Sequence, residues 1–165
     1  MRIAGVVHDS VVDGPGIRFV VFTQGCAQEC EHCHNPGSLD PNGGTEISVE
    51  DIIKEMRSNP LTDGLTLSGG EPFLQAASCA LIAEAARKDG LNVWVYTGLT
   101  FEELLLKAEI DTDVRRLLDL TDVLVDGPFI YAERTLSLKW RGSRNQRIID
   151  VPASLVSGEA VGLDV

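Results

Sequence analysis

Apolar residues along the chain fall into short β-rich runs separated by segments with helical spacing. Ile17–Phe22, Leu61–Leu67, Asn92–Tyr96 and Asp122–Val125 read as four strands, rich in Val, Ile, Leu and aromatic residues. Between them, Ser48-Val49-Glu50-Asp51 has the form of a capped helix start and puts Ile52, Ile53 and Met56 on one face. Over Pro72–Lys88, Cys79, Ile82, Ala83 and Ala86 follow the i, i+3, i+4, i+7 stripe of an amphipathic helix, and Asp89-Gly90 supplies the stop. Phe101–Ala108 and Val114–Leu120 complete the predicted helices. Asn35–Thr45, with two prolines and three glycines, reads as an irregular connection. Alternating strands and helices predict right-handed βαβ units and a mostly parallel sheet.

That order has a chemical consequence, because loops that follow parallel strands gather at one edge of the sheet. Four such loops carry glycine or cysteine: the stretch after Phe22, then Gly69-Gly70, Thr97-Gly98 and Asp126-Gly127. The first holds three of the four cysteines, Cys26, Cys30 and Cys33, spaced C-x3-C-x2-C. Thiolates so close can turn toward one point, and they are the usual ligands of iron–sulfur clusters. A [4Fe–4S] cube has four irons and this loop three thiols, so one iron stays open to a substrate or cofactor. Cys79 sits on the apolar stripe of its helix and reads as core. The competing readings are a Cys3His zinc site with His34, or a dithiol at Cys30 and Cys33. Against them, no second ligand pair follows downstream, and the adjacency of Cys33 and His34 strains a shared tetrahedral ion.

Length and charge narrow the class. A chain of 165 residues is long enough for one domain with a proper core. A formal net charge of −11 opposes binding to nucleic acid, which needs a basic face. Met1–Val7 is cut off by His8 and Asp9 and does not read as a signal peptide, and no apolar stretch has membrane-spanning length. Clustered cysteines without a secretory signal favour metal binding in a reducing compartment, so a cytoplasmic location is expected. One segment departs from the acidic pattern. Arg134–Arg147 carries five positive charges and no acid, leaving −16 on the remainder.

The C-x3-C-x2-C loop resembles that of the radical S-adenosylmethionine enzymes. The run from Asp13-Gly14-Pro15-Gly16-Ile17-Arg18 to Cys33-His34-Asn35-Pro36 is similar to the activases of glycyl radical enzymes. The resemblance implies a trimmed, partial (β/α) barrel forming a single radical S-adenosylmethionine domain over residues 1–165. It implies a [4Fe–4S] cluster on Cys26, Cys30 and Cys33, with S-adenosylmethionine on the fourth iron. Gly69-Gly70-Glu71-Pro72 is similar to the segment that holds the cofactor's amino group. His32 and His34 are then expected beside the cofactor, with Thr97 and Asp126 at neighbouring strand ends. Reductive cleavage of the sulfonium would follow, an oxidoreductase reaction without a general acid or base.

Asp126-Gly127-Pro128-Phe129 and Trp140–Arg147 resemble the C-terminal part of the activating proteins of anaerobic ribonucleoside-triphosphate reductase, which implies that reductase as partner. Cys33-His34-Asn35-Pro36 resembles the pyruvate formate-lyase activases as much, although those carry a lysine where Gly127-Pro128 follows Asp126 here. Both C-terminal segments are candidates for docking the partner, and a reducing donor such as flavodoxin or ferredoxin is implied. A non-enzymatic electron-transfer or structural metal protein is the rival from another class.

Overall fold

A computed structural model describes residues 1–28 and 30–165. Seven strands form one sheet: β1 (Arg2–Ser10), β2 (Arg18–Thr23), β3 (Thr45–Glu46), β4 (Gly64–Gly69), β5 (Asn92–Tyr96), β6 (Val123–Asp126) and β7 (Arg147–Asp150). Their spatial order is β3-β1-β2-β4-β5-β6-β7, so the sheet is open, with β3 and β7 at its two ends. The four central strands β2, β4, β5 and β6 run parallel. The flanking pairs β1–β2, β1–β3 and β6–β7 are antiparallel.

The parallel strands are the four predicted from the hydrophobic pattern, β5 with the predicted bounds and the other three shifted by one to three residues at their ends. Three strands were not foreseen. β1 has Gly5, His8 and Asp9 interrupting its apolar positions, β3 is two residues long, and β7 starts at Arg147, the last residue of the basic window. All three owe their strand state to antiparallel pairing with a neighbour, β1 with β2, β3 with β1 and β7 with β6, rather than to local pattern.

Five helices complete the architecture: α1 (Val49–Met56), α2 (Ala76–Lys88), α3 (Phe101–Ala108), α4 (Thr112–Leu120) and α5 (Val151–Ser157). The predicted helix over Pro72–Lys88 begins as a 3-10 turn, Pro72–Gln75, before α2 proper. Caps fix the starts. The Ser48 hydroxyl accepts from Asp51 N at 3.0 Å, and Thr100 and Glu103 form a reciprocal capping box on α3.

The two faces of the sheet differ in kind. Phe19, Val21, Leu65, Leu67, Val93, Val95, Leu124 and Ile149 share a continuous apolar core with residues from all five helices. The alternate residues point the other way, as the two-residue period of a strand requires. There, Trp94, Val123, Val125 and Ile148 form a smaller cluster, with Tyr96 and Trp140 packed against it.

The same face buries Arg18 completely. Its guanidinium donates to Thr66 Oγ1 at 2.5 Å, Leu65 O at 2.6 Å, Asn92 Oδ1 at 2.9 Å and Pro15 O at 3.1 Å, and lies 5.5 Å from the centroid of the Trp94 ring. Burial lowers its pKa to about 10, which leaves it charged at neutral pH. One side chain thereby ties the loop between β1 and β2 to β4 and β5. No helix among the described residues is long and apolar enough to cross a membrane.

Candidate cofactor site

The C-terminal ends of β2, β4, β5 and β6 open into a cavity of about 660 Å³. The cysteine loop leaves β2 through Gly25 and is pinned at both ends: Gly25 N donates to Ser38 O at 2.7 Å and Cys26 N to Leu39 O at 3.1 Å. A turn closed by Cys33 N on Cys30 O, 3.2 Å, then brings Cys26, Cys30 and Cys33 onto one wall of the cavity. Two of the sulfurs already accept amide donors, Cys26 from Gln28 N and Cys33 from Asn35 N, each at 3.4 Å. Burial pushes the Cys26 thiol up, and the neighbouring Glu71, Cys30 and Cys33 push in the same direction. A bound cation reverses that balance by compensating the thiolate charges.

Among the described residues, no three His, Cys, Asp or Glu side chains are gathered as a single metal ion would require. A tetrahedral zinc needs every ligand within a bond length of one point. A cube instead spreads its ligands over separate irons, and three thiols on one wall suit that chemistry.

The second wall is the turn after β4. Gly69 has φ +98°, and a Cβ there would stand 2.5 Å from Thr23 N, while one on Gly70 would collide with the Gly25 carbonyl. Both positions therefore demand glycine. Gly70 N donates to Thr23 O and Glu71 N to Gly25 O, each at 2.8 Å, which locks this turn directly beneath the cysteine loop.

The predicted site residues separate into two groups. Cys26, Cys30, Cys33, His34, Gly69, Gly70 and Thr97 line the cavity, and the His34 ring packs on Phe129 with centroids 4.3 Å apart. Glu71, Asp126 and His32 do not. Glu71 is 4% exposed, and its carboxylate accepts from Thr97 Oγ1 and Gly98 N at 2.9 Å and from Phe73 N at 3.1 Å. It is spent on holding the Gly69-Gly70 turn against β5, not held open for a ligand's ammonium group. Burial pushes its pKa up and these donors oppose the shift.

Asp126 is likewise buried behind the wall. It caps α3 at Phe101 N, 2.8 Å, and binds Arg147 at 2.5 and 3.0 Å. The backbone of its neighbour Gly127 is what reaches the cavity. His32, at φ +55°, stacks on Tyr131 with 60% of its side chain exposed.

Trp140–Arg147, a candidate docking segment, turns several of its side chains inward. Gln146 accepts from Gly142 N and Ser143 N and donates to Gly127 O. Asn145 donates to Pro128 O, and Arg147 binds Asp126 and Glu102. Trp140, at φ +60°, turns its ring into the cavity edge-on to Trp94. Phe129, Trp140 and Gln146, expected in the docking segments, line the site, as do Gln28 and Tyr96, for which the sequence carried no expectation. For Phe129 and Trp140 the signal was their place beside Gly127-Pro128 and Arg141-Gly142.

Among the described residues, Arg141 is the only Lys or Arg lining the cavity, and its Nε is buried without an acceptor. An orphaned cationic donor, three thiols and a glycine turn are the groups that a cluster bearing an aminocarboxylate would engage. The residues present fit that pair.

A cavity of this kind, at the carboxyl ends of parallel strands and walled by three thiols, defines an iron–sulfur protein with an open coordination position. Comparison agrees: residues 12–149 match the model of the 4Fe-4S single cluster domain family. The chain is similar to the anaerobic ribonucleoside-triphosphate reductase-activating protein of Vibrio cholerae, 36% identical over 149 residues that cover 84% of this chain and 90% of that one. The protein of the same description from Haemophilus influenzae is 34% identical over 148 residues with the same coverage. Pyruvate formate-lyase 1-activating enzyme of Escherichia coli is 35% identical over 134 residues, 76% of this chain but 52% of that enzyme, so the chain spans about half its length. The chain belongs to the 4Fe-4S single cluster domain family and, within it, to the radical S-adenosylmethionine activases of glycyl radical enzymes. Its cofactors are a [4Fe–4S] cluster and S-adenosylmethionine.

Proposed function

We propose that this chain installs the glycyl radical of an anaerobic ribonucleoside-triphosphate reductase, working in the cytoplasm as one radical S-adenosylmethionine domain over residues 1–165. The observation that carries the choice of partner is end-to-end likeness: the match covers 90% of the Vibrio cholerae activating protein against 52% of the pyruvate formate-lyase enzyme.

Cys26, Cys30 and Cys33 would hold the cluster. Gly69-Gly70 and Arg141 would meet the amino and carboxylate ends of S-adenosylmethionine, with the His34, Phe129 and Trp140 rings as walls for its adenine. When bound and reduced by a donor such as flavodoxin or ferredoxin, the two cofactors supply carbon–sulfur cleavage and hydrogen-atom abstraction. The chain's own residues orient the reactants and exclude water, and none is needed as acid or base. The sheet's parallel core of β2, β4, β5 and β6 fits a trimmed partial barrel, its cavity open enough to admit a backbone loop from a large partner.

The test is to mix the reduced, reconstituted protein anaerobically with the reductase or with pyruvate formate-lyase and record the electron paramagnetic resonance spectrum. A glycyl doublet on the reductase is expected. A doublet on pyruvate formate-lyase alone would transfer the assignment. A reducible cluster that never yields 5′-deoxyadenosine from S-adenosylmethionine would leave only an electron-transfer protein.

A further inference from the structure

The connection from β6 to β7 leaves the sheet as a hairpin. Arg134 bridges Ser143, Thr135 N donates to Gly142 O at 3.4 Å, and Arg144 N donates to Glu133 O at 3.1 Å. Its inner side chains are consumed in bonds to Gly127 and Pro128 and at the cavity wall. Its outer ones are not: Arg134, Lys139 and Arg144 are exposed and have no carboxylate partner among the described residues. Beside them, Leu136 is 88% exposed while still lining the cavity, which places it at the mouth. Val12, on the loop between β1 and β2, is 73% exposed and lines the same mouth.

Solvated leucine and valine at the entrance of a functional cavity are what a covering partner would bury. Unpaired cations on a chain of net charge −11 tell what kind of partner that is. An acidic protein segment is drawn to this lip, and the acidic remainder of the surface repels it elsewhere.

We propose that the β6–β7 hairpin, with Arg134, Lys139 and Arg144 next to Leu136 and Val12, is the docking lip for an acidic segment of the glycyl radical enzyme. The segment would be extended and would carry Asp or Glu beside small apolar residues. This inference builds on the activase reading above. The lip steers the partner and seals the mouth; the residues that hold the cofactors lie beneath it and are not part of it.

The double variant Arg134→Glu/Lys139→Glu tests the lip against Lys54→Glu/Lys107→Glu, which makes the same change in net charge on exposed helical positions. Both are prepared as full chains with reconstituted cluster. Uncoupled 5′-deoxyadenosine release, without partner, is measured first and should equal wild type in both. The association rate with the anaerobic reductase at low salt should then fall about tenfold or more for the lip variant and little for the control. Wild-type association should slow as salt rises, with the lip variant losing most of that dependence. Equal association rates for the two double variants, with radical formation intact, would overturn the docking lip and leave the activase assignment untouched. A wild-type protein that cleaves S-adenosylmethionine yet neither binds nor activates the reductase would overturn the partner assignment and the lip together.

Discussion

Glu71 separates two accounts of the Gly-Gly-Glu-Pro turn. In one, its carboxylate meets the ammonium of S-adenosylmethionine; in the other, it fastens the turn from behind. The structure favours the second, because each oxygen faces a backbone donor, Phe73 N on Oε1 and Gly98 N on Oε2, with Thr97 Oγ1 bonded to both. Glu71→Gln keeps the shape but replaces one acceptor by an NH2 group. Thr97 can adapt, since a hydroxyl both donates and accepts. A backbone N–H cannot, so whichever way the amide is turned, Phe73 N or Gly98 N faces a donor.

One buried donor left unsatisfied costs about 1–3 kcal/mol. Taking about 2 kcal/mol, with roughly 2–4 °C per kcal/mol for a chain of this size, the unfolding midpoint should fall by about 4–8 °C. Differential scanning calorimetry of the cluster-loaded protein under anaerobic conditions gives the number. The added midpoint shift at saturating S-adenosylmethionine reports affinity separately. The variant should lose thermal stability while keeping most of the cofactor-induced shift. Wild-type stability with the cofactor shift abolished would refute the reasoning and return the carboxylate to the cofactor.

Three further outcomes follow from the same geometry. Alanine at Cys26, Cys30 or Cys33 should abolish the cluster in anaerobic iron and sulfide analysis, whereas Cys79→Ala should retain it; Cys79 is fully buried in the helical core, where burial pushes its thiol up to about 12. Arg18→Met should cost about 3–5 kcal/mol in urea unfolding, because it strands the buried acceptors Leu65 O and Thr66 Oγ1; a loss below about 1 kcal/mol would show that the site relaxes around methionine. Hydrogen bonding to Arg147 holds the Glu102 carboxyl below its ordinary value. A depressed acid stabilises the fold above its unfolded pKa and loses that contribution as pH falls through the folded one. Glu102→Gln should therefore flatten stability against pH below about 4.3, by a few tenths of a kcal/mol for so exposed a pair.

The parallel core was legible because each of its strands carries a dense β-rich run, and β2, β4 and β5 are each succeeded by a segment with helical spacing. Cys26, Cys30, Cys33, Gly69 and Gly70 were legible for another reason: their spacing and residue type are dictated by local backbone chemistry. β1 and β7 were not, since a strand held by antiparallel pairing outside the parallel core needs little alternation of its own. The roles of Glu71 and Asp126 were beyond local reading too. A carboxylate at the end of a strand has the same sequence signature whether it points into the cavity or back toward the next helix. Its direction is set by partners far along the chain, Thr97 and Gly98 for Glu71, Phe101 and Arg147 for Asp126. The basic window was legible only as charge, which does not distinguish Arg147, bound to two carboxylates, from Arg134, bound to none among the described residues.

The two faces of the sheet explain how so short a chain keeps an open site. The helical face is sealed by a continuous apolar core that supplies the main driving force for folding. The opposite face could not be sealed in the same way without filling the cavity. It is instead supported from below by Arg18, whose donors are spent on neutral acceptors of β4, β5 and the preceding loop. That arrangement gives the cavity a rigid floor while importing no counter-charge. Above it, Glu71 and Asp126 bind the strand ends together from outside the cavity, so the wall facing the ligand can be glycine backbone and thiol. Rigidity is thus carried by buried polar groups, Arg18, Glu71 and Asp126, that do not line the cavity. On the cavity side, the Nε of Arg141 is left without an acceptor, a donor still available to a ligand.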